Sequence, residues 1–132
     1  MNEPPVVEQM ILCDEVRVHP GKLKKWDIIG LVFRFRSSKK ERPIRMPRLS
    51  VFLRLANGRG EGEGRIVFVE YDTGRPCGAS RSHHFQFGAN PLQVYGATFA
   101  VTNCKFPRPG YYLVEFRYNG VILAEQLLLI EE

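Results

Sequence analysis

The sequence has no apolar run approaching the roughly 18 residues that a membrane-spanning helix requires. Its longest candidate, Val121 to Ile130, is interrupted by Glu125 and Gln126. The opening MNEPP is acidic and proline-bearing, so it lacks the basic start and the apolar stretch of a secretory signal. These absences predict a cytoplasmic protein that has no membrane partner.

Cysteine is also scarce. The three residues Cys13, Cys77 and Cys104 are widely spaced, and no CxxC pair occurs. An odd number without a pair motif argues against a disulfide framework and against a structural zinc site. We expect Cys13 and Cys104 to be buried in strands as small apolar side chains, and Cys77 to lie in an exposed turn.

No stretch shows a helical period of useful length, and apolar residues instead alternate with polar ones. The clearest case runs from Tyr112 to Tyr118 and ends at Asn119-Gly120, a strong hairpin signal because type I′ turns need positive φ at both central residues. The pattern predicts an all-β, two-layer antiparallel, immunoglobulin-like β-sandwich of about seven to eight strands. We expect one domain over residues 1–132, with a flexible start at residues 1–8.

Other segments predict less regular structure. Leu23 to Arg36 reads as one long strand or two short ones, with a bend at Gly30. Asn57 to Gly64 is rich in glycine and predicts a flexible hairpin connector, since it lacks the lysine and the following helix of a phosphate-binding loop. Arg75 to Leu92 holds at most one short strand, around His83 to Phe87.

The segment before the last strands predicts a tyrosine corner. Tyr112 follows the turn at Gly110 and stands two residues before an inward apolar position. In such a corner the phenol hydroxyl caps the backbone of the preceding loop. Tyr112 is therefore predicted to be a structural residue.

Several short motifs resemble those of a known family. They are Leu12-Cys13-Asp14, Gly21-Lys22-Leu23 followed by Ile29-Gly30-Leu31, and Phe106-x-x-Pro109-Gly110-x-Tyr112. With these motifs the chain resembles a group of small bacterial β-sandwich proteins that carry only a domain-of-unknown-function label, and the resemblance extends over nearly the whole chain. It implies an immunoglobulin-like sandwich and brings no catalytic residues. The basic loop from Lys39 to Arg48 departs from the family pattern.

Charge is distributed unevenly along the chain. Between Arg17 and Arg59 there are thirteen Lys or Arg against two acids, a net of +11, while the rest carries six bases and twelve acids, a net of −6, which together make the total of +5. Such polarisation indicates an anionic partner, or else a surface that Lys and Arg keep free of unwanted pairing.

The basic segment supplies the candidate binding residues. Lysines flank the only tryptophan, a combination that stacks a base and neutralises phosphates, and Arg34 and Arg36 on one strand face would lie ~7 Å apart, near the phosphate repeat. No nucleic-acid-binding motif accompanies them. The candidate anion-binding residues are Lys22, Lys24, Lys25, Trp26, Arg34, Arg36, Lys39, Lys40, Arg42, Arg45 and Arg48.

Catalytic patterns are few. Cys77, His83 and His84 are the one group of soft ligands or Cys–His partners, yet adjacent histidines in a strand point to opposite faces and the spacing matches no zinc template. Asp14 reads as a hydrogen-bonded turn anchor or as a functional carboxylate. We expect no cofactor and favour a non-enzymatic protein.

Three functional hypotheses follow. The first is a protein-interaction module that holds a protein partner, or a second copy of itself, at exposed loops or edge strands. The second is a binder of nucleic acid or another polyanion through the basic surface of residues 17–59. The third is a small metal-dependent or Cys/His hydrolase centred on Cys77, His83 and His84.

Overall fold

The computed structural model describes residues 2–19 and 25–132. These residues form ten β-strands and no helix, so none of their segments is a helix that could span a membrane. An all-β fold is confirmed, with more strands than expected. The strands are β1 (Val6–Val18), β2 (Trp26–Leu31), β3 (Arg34–Arg36), β4 (Ile44–Ala56), β5 (Gly60–Glu70), β6 (Pro76–Ala79), β7 (His83–Phe87), β8 (Tyr95–Phe106), β9 (Gly110–Tyr118) and β10 (Val121–Glu131).

Within the described ranges the strands form two sheets. The four-stranded sheet has the order β2-β1-β4-β8, and the six-stranded sheet has the order β3-β10-β9-β5-β6, with β7 also paired to β5. Strand pairing is antiparallel, as predicted, except at β3, which runs parallel to β10. Since β3 follows a strand of the other sheet, it enters by a crossover rather than by a hairpin. Immunoglobulin-like connectivity stays a prediction.

The two sheets pack face to face, which confirms the two-layer arrangement. Aromatic pairs bridge them, with ring centroids 5.8 Å apart for Phe68 and Phe106 and 6.0 Å apart for Phe99 and Phe116. Along β4, alternate residues from Leu49 to Leu55 are fully buried. Period-two alternation therefore places the apolar face of each sheet in a shared core.

The C-terminal third adopts the predicted local structure. The Tyr112 hydroxyl donates a hydrogen bond to the carbonyl of Arg108 at 2.6 Å and accepts one from its N–H at 3.3 Å, which confirms the tyrosine corner. The hairpin between β9 and β10 has φ of 50° at Asn119 and 81° at Gly120. Both turns could be predicted from the sequence because each depends on residues close together in the chain.

The glycine-rich segment is not the flexible connector that its composition predicts. Strand β5 begins at Gly60 and includes the buried Gly62 and Gly64. A Cβ at Gly62 would lie 2.1 Å from the hydroxyl of Tyr118, and one at Gly64 would lie 2.7 Å from the ring of Phe85. Glycine is therefore required here by aromatic rings packed against the strand, and not by a turn.

The segment before β4 consists of two short strands, as one alternative predicted, and they belong to different sheets. Gly30 has φ of 69°, in keeping with a bend, and the exposed carboxylate of Asp14 occupies the space beside it. Near the N-terminus, Glu3 exchanges main-chain hydrogen bonds of 2.9 and 3.0 Å with Arg59. Flexibility of residues 1–8 stays a prediction.

Candidate functional site

Trp26, the aromatic residue of the predicted tryptophan–lysine site, packs against the four-stranded sheet. The Trp26 ring packs edge-on against Phe52 at 5.2 Å, and a Cβ at Gly96 would lie 2.8 Å from the indole. Trp26 therefore covers part of the four-stranded sheet and contributes to packing. Lys25 beside it is exposed, whereas Lys22 and Lys24 lie outside the described residues.

Carboxylates near the C-terminus neutralise several of the predicted arginines. Glu131 forms salt bridges with Arg34 at 3.0 Å and with Arg36 at 3.6 Å, and Glu132 forms one with Arg42 at 3.0 Å. Exposed pairs of this kind stabilise the fold by about 1 kcal/mol or less. They do reduce the local positive charge, so the segment presents less cationic surface than its composition indicates.

Three of the predicted cations meet in one concavity, which we name the basic pocket. It has a volume of about 410 Å³ and lies between the β3–β4 connection and strands β4 and β8. Three cations against one carboxylate make a net charge of +2 in its lining. The basic pocket is lined by Phe35, Arg36, Ser37, Ser38, Lys39, Glu41, Arg45, Pro47 and Asn103. The exposed Lys40 and Arg48 lie outside this lining.

A like-charge pair borders the basic pocket. Arg45 on β4 stands directly opposite Lys105 on β8 in the antiparallel register. Both side chains are exposed, because their neighbours along each strand, such as Met46 and Cys104, are buried. Like charges in directly opposed positions destabilise a sheet. Sequence reasoning missed Lys105, since its placement depends on the register of strands 60 residues apart.

The soft ligands do not converge. His83 packs against the Phe85 ring at 4.6 Å, while His84 Nδ1 lies 2.8 Å from Glu63 Oε1, so the two histidines point to opposite faces as predicted. Cys77 is half-buried on β6, and the prediction of an exposed turn is wrong. Burial raises the pKa of the Cys77 thiol to about 11, which disfavours the nucleophilic thiolate. Among the described residues, no three His, Cys, Asp or Glu side chains are arranged to hold a metal.

His84 is expected to make the stability depend on pH. A hydrogen bond to Glu63, with Glu61 nearby, raises the pKa of His84. The interaction of protonated His84 with these carboxylates therefore stabilises the fold fully below the unfolded-state pKa of about 6.5. This stabilisation is lost as the pH rises through the folded-state pKa. His84→Gln should destabilise the protein more at about pH 5.5 than at about pH 9, measured by chemical denaturation. The same loss at both pH values would contradict this, and Glu63→Gln should reduce the trend, since Glu61 also raises the pKa of His84.

Strand β8 forms a long edge of the four-stranded sheet. Within the described part of the chain it is hydrogen-bonded to β4 alone, and it is 12 residues long. From Tyr95 to Cys104 it contains no charged residue and no proline. The edge strands β3 and β6 have only three and four residues; β3 carries two arginines, and β6 begins with a proline. Short length, charge and proline all prevent unwanted strand pairing, and β8 lacks these protections over most of its length.

Comparison with known proteins places the chain in a family. The model of a family of unknown function, DUF6941, matches residues 8–131. Since the match extends over nearly the whole sequence, the chain belongs to DUF6941, and the resemblance to a family of unknown function is confirmed. A search of curated proteins found no match.

Proposed function

We propose that this member of DUF6941 is a protein-interaction module that pairs with a second copy of itself along the edge of β8. The observation that carries the proposal is the length of this edge together with its lack of charge from Tyr95 to Cys104. A strand edge presents unpaired N–H and C=O groups, and an added strand satisfies them. The finding favours a binding role and points to no catalytic step.

The chemistry of β8 suits a second copy as the occupant. An antiparallel pair centred on Ala100 would set Thr98 opposite the partner's Thr102, and Lys105 opposite the partner's Tyr95. No like charges would face each other in this arrangement. The two four-stranded sheets would join into one sheet of eight strands, with a twofold axis between the copies.

The self-association is tested with a charge placed on the axis. Ala100 is exposed, so Ala100→Lys should leave the fold intact while opposing two ammonium groups across the twofold axis. We expect sedimentation equilibrium to show a concentration-dependent dimer for the wild-type chain and a dissociation constant raised about tenfold or more for Ala100→Lys. Ala100→Cys should form a covalent dimer under mild oxidation, because opposed residues in a strand pair lie within disulfide reach.

A matched control adds the same charge elsewhere. Val121→Lys alters an exposed residue at the start of β10, in the other sheet, and should leave the dimer unchanged. A wild-type chain that stays monomeric at all concentrations would refute the proposal. So would a dimer that Ala100→Lys leaves intact, since its interface would lie elsewhere, as at the exposed Leu31 and Phe33.

The other two hypotheses receive less support. A nucleic-acid stripe over residues 17–59 would need a continuous cationic surface, whereas these residues are divided between two sheets and several are paired with Glu131 or Glu132. A hydrolase would need a nucleophile and a base within hydrogen-bond reach. Cys77 lines a cavity with residues of β6 and β8, and His84 faces Glu63 instead.

A further inference from the structure

We infer that the basic pocket binds a single phosphate group, either free phosphate or the phosphate of a small phosphomonoester. Its concavity of about 410 Å³ has room for one such group and a small organic substituent. The lining includes Arg36, Arg45 and Lys39, whose side chains carry two guanidinium groups and one ammonium group. Guanidinium and phosphate match in geometry, because two parallel N–H groups reach two oxygens.

Neutral donors complete the lining. Ser38 and Asn103, whose side chains carry a hydroxyl and an amide, line the same concavity. Ser37 orders the connection, since its hydroxyl accepts a hydrogen bond from the Lys39 N–H at 3.2 Å. A dianion in the basic pocket would thus be near both charged and neutral donors, and hydrogen bonds to charged groups are the stronger kind.

The charge of the basic pocket is only partly balanced by the protein. Glu41 lines it, and Glu131 lies 3.6 Å from Arg36. Within residues 2–19 and 25–132, which include every Asp and Glu of the chain, Lys39 and Arg45 form no salt bridge. Two cations are therefore available to an anion from solution.

The Arg45–Lys105 pair supports the inference independently. These residues are directly opposed in the β4–β8 register, and this opposition costs stability in the absence of an anion. A phosphate bound beside Arg45 would offset the repulsion. Binding and stability are then coupled, because the anion stabilises the folded state alone.

A single phosphate fits better than a nucleic-acid backbone. A polyanion would need several cations along one track, yet Arg34 and Arg42 are held by Glu131 and Glu132 at 3.0 Å. The one tryptophan packs on Phe52 in the four-stranded sheet. Arg36, Lys39 and Arg45, in contrast, share one concavity, which suits one compact ligand.

Titration calorimetry of the full chain in a phosphate-free buffer of low ionic strength tests the inference, with inorganic phosphate and glycerol 3-phosphate as separate probes. We expect saturable binding of at least one probe. The probe that binds more tightly shows whether the ligand is free phosphate or a phosphomonoester. Arg45→Gln should weaken that binding about tenfold or more, as loss of a charge-assisted contact predicts. Arg81→Gln is the matched control, an exposed arginine between β6 and β7 and outside the lining, and it should change the affinity less than about twofold.

A second variant tests the repulsion between Arg45 and Lys105. Lys105→Gln should raise the unfolding temperature in the absence of phosphate and reduce the rise that added phosphate causes. Failure of both probes to bind saturably would overturn the inference, as would equal losses in Arg45→Gln and Arg81→Gln. Tighter, steeply salt-dependent binding of a deoxythymidine decamer would identify a polyanion surface instead. Because Asn103 and Lys105 lie on β8, the same measurements are repeated in Ala100→Lys, where loss of the dimer should leave phosphate binding unchanged.

Discussion

Replacement of Gly62 by alanine is expected to lower the free energy of unfolding by about 3 kcal/mol, near the upper end of the usual cost of overpacking a core. The added Cβ would lie 2.1 Å from the hydroxyl oxygen of Tyr118 and 2.2 Å from its Cζ. That ring is 3% exposed and packs against Phe85 and Phe87 with centroids 6.1 and 6.2 Å away. It cannot move aside without disturbing this aromatic cluster.

Chemical denaturation of Gly62→Ala beside Gly78→Ala measures the effect. Gly78 lies on β6 of the same sheet, and a Cβ there would stand 3.6 Å from Phe68, an ordinary contact. The control should therefore stay within about 0.5 kcal/mol of the wild-type stability. If Gly62→Ala lowered the free energy of unfolding no more than Gly78→Ala does, the packing role of Gly62 would be refuted.

Tyr112→Phe is expected to cost about 2 kcal/mol, because it leaves partly buried backbone groups without their partner. The hydroxyl of Tyr112 serves both the carbonyl and the N–H of Arg108, and the side chain is 1% exposed. The aromatic ring stays in place against Phe106 at 4.8 Å. The loss should thus report the tyrosine corner rather than a cavity.

Tyr118→Phe provides a control of opposite sign. The Tyr118 hydroxyl is buried and has no hydrogen-bond partner among the residues that the structure describes. Removing it should leave the stability unchanged or raise it by about 1 kcal/mol, since an unsatisfied buried polar group is unfavourable. In denaturant unfolding, an equal loss in Tyr118→Phe would contradict the unpaired Tyr118 hydroxyl, and no loss in Tyr112→Phe would contradict the tyrosine corner.

The candidate site could be predicted only in part. The residue types at Arg36, Lys39 and Arg45 are visible in the sequence as members of a basic segment, and the structure brings these three together. The contributions of Asn103 and Lys105 come from a strand about 60 residues further along. Neutralisation by Glu131 and Glu132 comes from the chain end. No local pattern predicts either, since both depend on which strands become neighbours.

Local chemistry in the sequence was sufficient for the all-β class, the Asn119-Gly120 hairpin and the Tyr112 corner, because each arises from residues close together in the chain. The tertiary structure was needed for everything that depends on strand neighbours: the two sheets, the exposed edge of β8, the glycines beneath Tyr118 and the basic pocket. Period-two alternation specifies which face of a strand is buried, but it does not specify the strand beside it. That choice depends on the joint packing of both sheets, and it determines where this protein presents an edge and where it concentrates charge.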